Sequence, residues 1–322
     1  MKKRLRFSWK KLLAFILFNL VFAGILAPVI LFWGPFQALK VMAVGAVATS
    51  RHPQVVRAFL SQAQIDAIVH QNDVLGINAQ GDVAKGKVVS DPTEGITIED
   101  IQGHNFKGKV MLVKDPKRVK VAVTKQIGSA GERVTDLVRD MNAIAGINAG
   151  GFYDPNGKGN GAFPDGLTVH DGKLVHNNVA DNKVNIVGID DKGKLHLGDL
   201  TASGLDSQHI QEAVTFGPNL ILNGIPQVVG DGGWGVAPRT GIGQKADGTI
   251  ILVIIDGRQP TWSWGATLRD LMNVFVDYQA LNAANLDGGS SSEMVYQGKV
   301  INRLWDIFGE RYIPTGFVVL PK

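Results

Sequence analysis

The chain has 322 residues, 45% of them hydrophobic, which is enough for a sizeable core in one large domain plus an anchor. Its formal charge of +4 comes from the N-terminus, where Lys2, Lys3, Arg4, Arg6, Lys10 and Lys11 precede any acid; 33 basic residues less these six leave 27 against 29 acidic, which removes most of the case for a nucleic-acid-binding domain. The absence of cysteine excludes disulfides, thiolate metal sites and cysteine nucleophiles.

The first predicted element is a membrane span. No residue between Leu12 and Trp33 is charged, and at ~1.5 Å per residue these positions cover roughly 33 Å, enough for a bilayer core. Residues 1–11 then form a cytoplasmic basic tail, 12–33 a single-pass anchor, and everything beyond lies outside the cell under the positive-inside rule. The competing reading is a signal peptide cleaved at Ala46-Val47-Ala48. The apolar stretch is longer than a signal-peptide core of ~7–15 residues and stops well short of that site, which favours the uncleaved anchor.

Residues 34–100 read as a juxtamembrane helix and a linker. Val56, Phe59, Leu60, Ala63 and Ala67 recur at loose helical spacing and predict a helix over Val55–Val69. The stretch Asn72–Asp100, rich in Gly, Asp and Lys, predicts irregular chain. The main domain, 101–322, is expected to be α+β, β-rich, with a few packed helices. Lys109–Lys114 and Val119–Val123, split by Asp115-Pro116, predict a hairpin, and a helix is expected over Val134–Met141. Ala143–Ile147 reads as a strand opening into Asn148-Ala149-Gly150-Gly151-Phe152. Asp165-Gly166 and Asp171-Gly172-Lys173 punctuate further short strands, and Ala246-Asp247-Gly248 joins Arg239–Gln244 to Thr249–Ile255. Thr267 and Asp270 form a capping box for a helix whose buried stripe is Leu268, Leu271, Met272 and Phe275.

The seven histidines form no HxH or HxxxH pair and are expected to be structural or solvated. Asp-rich loops could hold Ca²⁺, but none has EF-hand spacing, so neither metal nor cofactor is expected. The chemistry concentrates in two glycine loops of one plan: helix, short apolar strand, polar residue, glycine pair. In Asn285-Leu286-Asp287-Gly288-Gly289-Ser290-Ser291-Ser292 an amide and a carboxylate precede two glycines whose N–H groups can approach an anion. Arg239, ahead of an apolar strand, suits bidentate phosphate recognition. Asp256-Gly257-Arg258 ends another strand with opposite charges two apart, either a turn ion pair or further site groups.

Taken together and in order, Asn148-Ala149-Gly150-Gly151-Phe152, Phe216-Gly217-Pro218, Pro238-Arg239-Thr240, Asp256-Gly257-Arg258, Gly265-Ala266-Thr267-Leu268 and Asn285-Leu286-Asp287-Gly288-Gly289 resemble the phosphodiester glycosidase family over roughly Phe106 to Leu320. The animal lysosomal uncovering enzyme is a member, and bacterial members often sit near exopolysaccharide genes. Two positions depart from the family pattern. Ser290 stands where a third glycine is usual, and Glu293 where a threonine is.

The resemblance implies hydrolysis of a sugar-1-phosphate diester at the glycosidic C–O bond, on a cell-envelope or exopolysaccharide glycan. It assigns the catalytic carboxylate to Asp287, with Asp256 as second choice, and phosphate contact to Arg239, Gly288, Gly289 and Ser291. Asn148 and Asn285 would orient sugar hydroxyls or hold the loops together, and Gly151, Asp165, Thr240 and Arg258 complete the substrate-binding set. The rival readings are a non-catalytic polysaccharide-binding module and a phosphodiesterase that cuts the P–O bond.

Overall fold

The computed structural model describes residues 8–35, 37–48, 53–70, 83–155, 159–306 and 308–322. Helix α1 (Trp9–Trp33) is long and apolar enough to cross a membrane, and its 25 residues span about 37 Å. Three shorter helices follow: α2 (Gln37–Ala48), α3 (Gln54–Arg57) and α4 (Gln62–His70). The single helix expected over Val55–Val69 is therefore two. Ser61 and Gln64 break it: the Ser61 Oγ accepts from the Gln64 N–H, and Gln64 Oε1 accepts from the Ser61 N–H, a capping box that starts a new helix. Val56, Leu60, Ile65 and Ile68 bury themselves with Phe32 and Val44 in a cluster of their own.

Beyond residue 83 the chain is mostly strand, built from short Val- and Ile-rich runs between Gly and Asp turns. Eight strands, β1 (Ala84–Asp91), β2 (Ile96–Gln102), β3 (Lys107–Val113), β11 (Asn219–Leu222), β12 (Ile225–Pro226), β13 (Arg239–Lys245), β14 (Ile250–Ile255) and β15 (Ala280–Leu286), form the largest sheet, in the order β1-β2-β3-β14-β13-β15-β11-β12. A second sheet is built from β4 (Val119–Val123), β5 (Ala145–Asn148), β16 (Met294–Tyr296), β17 (Lys299–Val300) and β18 (Thr315–Val319), ordered β17-β16-β5-β18-β4. The third contains β6 (Leu167–His170), β7 (Lys173–Asn177), β8 (Val184–Asp190), β9 (Leu195–Leu200) and β10 (Ile210–Thr215), ordered β7-β6-β10-β8-β9. Asp171-Gly172 and Ala246-Asp247-Gly248 close the two hairpins expected of them.

Two expectations change here. The span 84–100, read as linker, supplies β1 and most of β2, so the large sheet begins at Ala84 and not near Ile101; residues 71–82 of the expected linker lie outside the described residues. Also, Lys109–Lys114 and Val119–Val123 do not pair. β3 lies between β2 and β14, while β4 pairs with β18 in the second sheet. Asp115 caps a 3₁₀ turn (Pro116–Arg118) through its side chain, and that turn hands the chain from one sheet to the other.

The three sheets share one core, in which Ile98, Met111, Val121, Ile147, Val187, Val214, Leu252, Leu286 and Phe317 meet. β14 is apolar throughout because both of its faces are covered. Ile250, Leu252 and Ile254 face that core, and Ile251, Val253 and Ile255 face α6 (Leu268–Asp277). The ring of Phe275 lies on β13, where a Cβ on Gly241 or Gly243 would come within 2.8 Å of it. Helix α5 (Val134–Asp140) covers the outer face of the second sheet through Val134, Leu137 and Val138.

Candidate active site

One glycine loop carries the chain from the large sheet to the second, the other from the second sheet towards the third. β15 lies between β13 and β11 in the large sheet, and beyond it Asp287-Gly288 and a 3₁₀ turn (Gly289–Ser291) lead into β16 beside β5. From the opposite side, β5 ends at Asn148 and opens into Ala149-Gly150-Gly151. The loops meet. The Asp287 N–H donates to the Ala149 carbonyl at 3.0 Å, and Asn148 Nδ2 donates to the Asp287 carbonyl. Asn148 Oδ1 in turn accepts from Thr240 Oγ1 at 2.9 Å and from the Glu293 N–H at 3.1 Å. Asn148 and Thr240 thus tie the loops and β13 together.

The Asp287 carboxylate faces inward. Burial pushes its pKa up to about 6; the Ser291 hydroxyl and the Arg311 charge favour the carboxylate, while Asp154 works against it. Arg311 pairs with Asp154 at 2.5 Å and donates to Ser290 Oγ at 3.2 Å. Four buried atoms of this region, Asn285 Oδ1, Asp287 Oδ2, Ser291 Oγ and Glu293 Oε1, make no hydrogen bond of good geometry, although Ser291 faces the Asp287 carboxylate and Glu310 faces Glu293. Buried polar groups are ordinarily paired. Such a concentration beside a carboxyl of raised pKa marks a site prepared for a ligand.

Around this centre, Gly151 packs against the Phe216 ring and lies beside Asp165, where a Cβ would be 3.1 Å from the ring and 3.6 Å from Asp165 Oδ2. Burial raises the Asp165 pKa, opposed by a hydrogen bond from Asn178. Phe216 meets Trp234 edge to face, with ring centroids 6.2 Å apart. Asn285 Nδ2 donates to the Gly217 carbonyl at 2.9 Å. Arg258 stands over Gly289, whose Cβ would lie 3.5 Å from its guanidinium.

A phosphodiester glycosidase family model matches residues 141–320, the span that holds both loops and all the residues around them. The chain belongs to the phosphodiester glycosidase family. It is also 30% identical over 199 residues to the SPbeta prophage-derived uncharacterized protein YomE of Bacillus subtilis, a match that covers 59% of this chain but only 30% of that protein. In fold it is similar to the zebrafish N-acetylglucosamine-1-phosphodiester alpha-N-acetylglucosaminidase catalytic domain auto-inhibited by its pro-peptide. There the TM-score is 0.60 at 21% identity, covering 75% of this chain and 88% of that one. An exported protein of Burkholderia pseudomallei matches with a TM-score of 0.52 at 20% identity, over 67% of this chain and 74% of that one.

Within this phosphodiester glycosidase fold, three sequence-based assignments need correction. Arg239 does not present its guanidinium as a surface phosphate clamp: it is 3% exposed, Nε donates to the Ala266 carbonyl at 3.0 Å, and Nη2 donates to those of Trp234 and Gly235 at 3.2 and 2.6 Å. Burial, reinforced by the charge of Arg258, lowers its pKa to about 10. It works as a clamp for the loop that precedes β13. Asp256 is likewise a structural anchor; Oδ2 accepts from Trp262 Nε1 at 2.8 Å, and Oδ1 accepts from Asn302 Nδ2 and the Arg303 N–H, both at 3.1 Å. The N–H of Gly289, expected to cradle an anion, donates instead to the Pro238 carbonyl at 2.9 Å. The reason is close approach: a Cβ on Gly288 would lie 2.8 Å from that same carbonyl oxygen, so glycine lets the loop dock on β13.

Sequence reasoning missed Arg311 and Asp154. Asp154 follows the first glycine loop directly and could have been included with it. Arg311, in Gly309-Glu310-Arg311-Tyr312, belongs to none of the motifs singled out in the sequence, and only the fold brings it to Ser290. Among the described residues the His/Asp/Glu group close enough to hold a metal is His170, Asp171 and Glu212, within 4.8 Å of one another. Lys120 Nζ already lies 2.7 Å from Asp171 and 3.0 Å from Glu212, so an ammonium occupies the position a cation would take.

Proposed function

We propose that the protein hydrolyses a sugar-1-phosphate diester at the glycosidic C–O bond, acting outside the cell on a glycan of the cell envelope while α1 tethers it to the membrane. The observation that carries this reading is the set of buried polar atoms around Asp287 that lack a well-formed hydrogen bond. In this mechanism the Asp287 carboxylate takes a proton from water as the water oxygen bonds to the anomeric carbon. The C–O bond to phosphate breaks with its electron pair, and the phosphomonoester departs. Phosphate is a good leaving group, so the leaving oxygen needs charge neutralisation more than protonation. Arg311, bonded to Ser290, and Arg258, beside Gly289, are the guanidiniums that supply it. Ser291 Oγ and Asn285 Oδ1 are positioned to bond sugar hydroxyls, and Phe216 with Trp234 offers an apolar wall.

Turnover in isotope-labelled water tests the reading. Label in the released sugar is the expected result, because it reports C–O cleavage. Label in the phosphate would mean P–O cleavage, and no product at all would point to a glycan-binding module. Protease added to intact cells or wall-stripped protoplasts should digest the domain; full protection until the membrane is ruptured would place it on the inner side.

A further inference from the structure

Beside the glycine loops lies a concavity of about 520 Å³ that the proposed reaction does not use. Its lining is cationic: Lys87 from β1, Lys107 and Lys109 from β3, and Arg303, while Lys85 contributes to the wall with its Nζ turned 4.3 Å over the Tyr278 ring. Two carboxylates share it, and both are committed, Asp100 to Lys109 and Asp256 to Trp262, Asn302 and the Arg303 N–H. A surplus of positive charge therefore sits in one cleft of a domain that is otherwise close to neutral. Trp262 stands in it with Lys107 Nζ 4.1 Å from its ring centroid and Arg303 Cζ 5.5 Å away. An aromatic face flanked by two cations suits a sugar ring that carries anionic substituents.

Lysines on an edge strand are often there to prevent edge-to-edge pairing, and Lys85 and Lys87 alone would need no other explanation. Lys107 and Lys109, however, lie on β3, an interior strand, and Arg303 on a loop. The β1–β2 register also shifts between Lys85 and Val88, a bulge of the kind that re-aims side chains beside functional sites. The cleft adjoins the candidate active site through two links. Asn302 Nδ2 donates both to Asp256 in the cleft and to the Ser292 carbonyl of the loop. Arg258, over Gly289, follows Asp256 by two residues, at most ~7 Å along the chain.

We propose that this cleft is a subsite for further anionic groups of a polymeric substrate, the phosphates or carboxylates that recur along the strand beyond the bond hydrolysed at Asp287. The inference rests on the hydrolase reading above and adds to it a polyanionic glycan as the substrate class. A concave shape with an aromatic at its wall fits a strand better than it fits a flat lipid surface.

The test is binding by the full chain, held in neutral-lipid nanodiscs, of fluorescently labelled poly(glycerol phosphate), with neutral dextran as the control polymer. Lys87→Ala/Lys107→Ala is expected to weaken poly(glycerol phosphate) binding about tenfold at low salt, a difference that shrinks as salt rises. Hydrolysis of a short sugar-1-phosphate diester should be unchanged, and Lys87→Glu alone should give a smaller loss in the same direction, which keeps the test decisive if the double variant folds poorly. Unchanged affinity in both variants overturns the proposal, as does an equal loss of dextran binding. So does a preference for phosphatidylglycerol vesicles over the soluble polymer. A wild type that binds the polymer through these lysines yet never hydrolyses a short diester would instead sink the hydrolase reading and leave the cleft standing.

Discussion

Asp287 sets a conflict between stability and chemistry. Its folded pKa of about 6 lies above the ordinary 3.8, so the folded state holds the proton more tightly than the unfolded chain. Stability therefore falls as pH rises from about 4 to 6, and the penalty is complete above that. Asp287→Asn should cut kcat by ~10²–10⁴ while stabilising the fold by up to ~3 kcal/mol at neutral pH, seen in initial rates and urea unfolding. Under the proposed mechanism, in which the carboxylate is the reactive form, wild-type kcat should also decline below about pH 6. A side chain that merely capped the turn would accept Asn with little change in rate. Arg239→Ala should act differently: it strands three carbonyls and leaves a cavity, so a loss of ~2–4 kcal/mol is expected in denaturant titration. Arg239→Lys should recover little of it, since an ammonium cannot reach all three acceptors in the same geometry. Glu293, placed where the family usually has threonine, is 2% exposed; burial and the neighbouring Glu310 push its pKa up to about 10. Between the ordinary 4.5 and about 10 the folded state keeps a proton that the unfolded chain releases. Stability should then fall as pH rises from 6 to 9, a decline that Glu293→Gln flattens in paired unfolding curves.

At the level of elements, α6 and β13 are fitted to each other. The alternation Gly241-Ile242-Gly243 leaves one face of β13 bare, and the Phe275 ring occupies it. Gly241→Ala would push a methyl to 2.8 Å from that ring and should cost ~1–3 kcal/mol. In a Phe275→Leu background the cost should shrink, so a double-mutant cycle read by thermal unfolding should return a coupling of ~0.5 kcal/mol or more. Additive losses would mean that the glycines serve something other than this contact. The same packing holds β13 in line with β15, and hence Asp287 at the end of its strand.

The whole domain starts earlier than the apolar runs suggest. A chain beginning at Asn72 keeps β1 and β2 and should unfold cooperatively, whereas one beginning at Ile101 lacks β1 and nearly all of β2. Ile96 and Ile98 would be gone from the shared core, and β3 would become an exposed edge. Circular dichroism melts should place the shorter chain several degrees lower, or find no transition. Equal melting temperatures would mean that β1 and β2 are an appendage to the domain.

Local signals determined much of this protein. The capping box of α6 and its buried stripe, the two Asp-Gly hairpins, the apolar span of α1 and the pairing of Asn148 and Asp287 with glycines are all written in spacing and residue type, because each depends on near neighbours in the chain. Edge strands are harder to read: β1 is exposed along nearly its whole length, so no apolar alternation announces it. The roles within the site were decided by tertiary structure alone. Sequence places Arg239 at a strand start and Asp256 at a strand end, but whether a charge meets a ligand or a carbonyl depends on what the other sheets bring to it. Arg311 reaches the loop that follows Asp287 from the far end of the chain, and no pattern of spacing encodes that encounter.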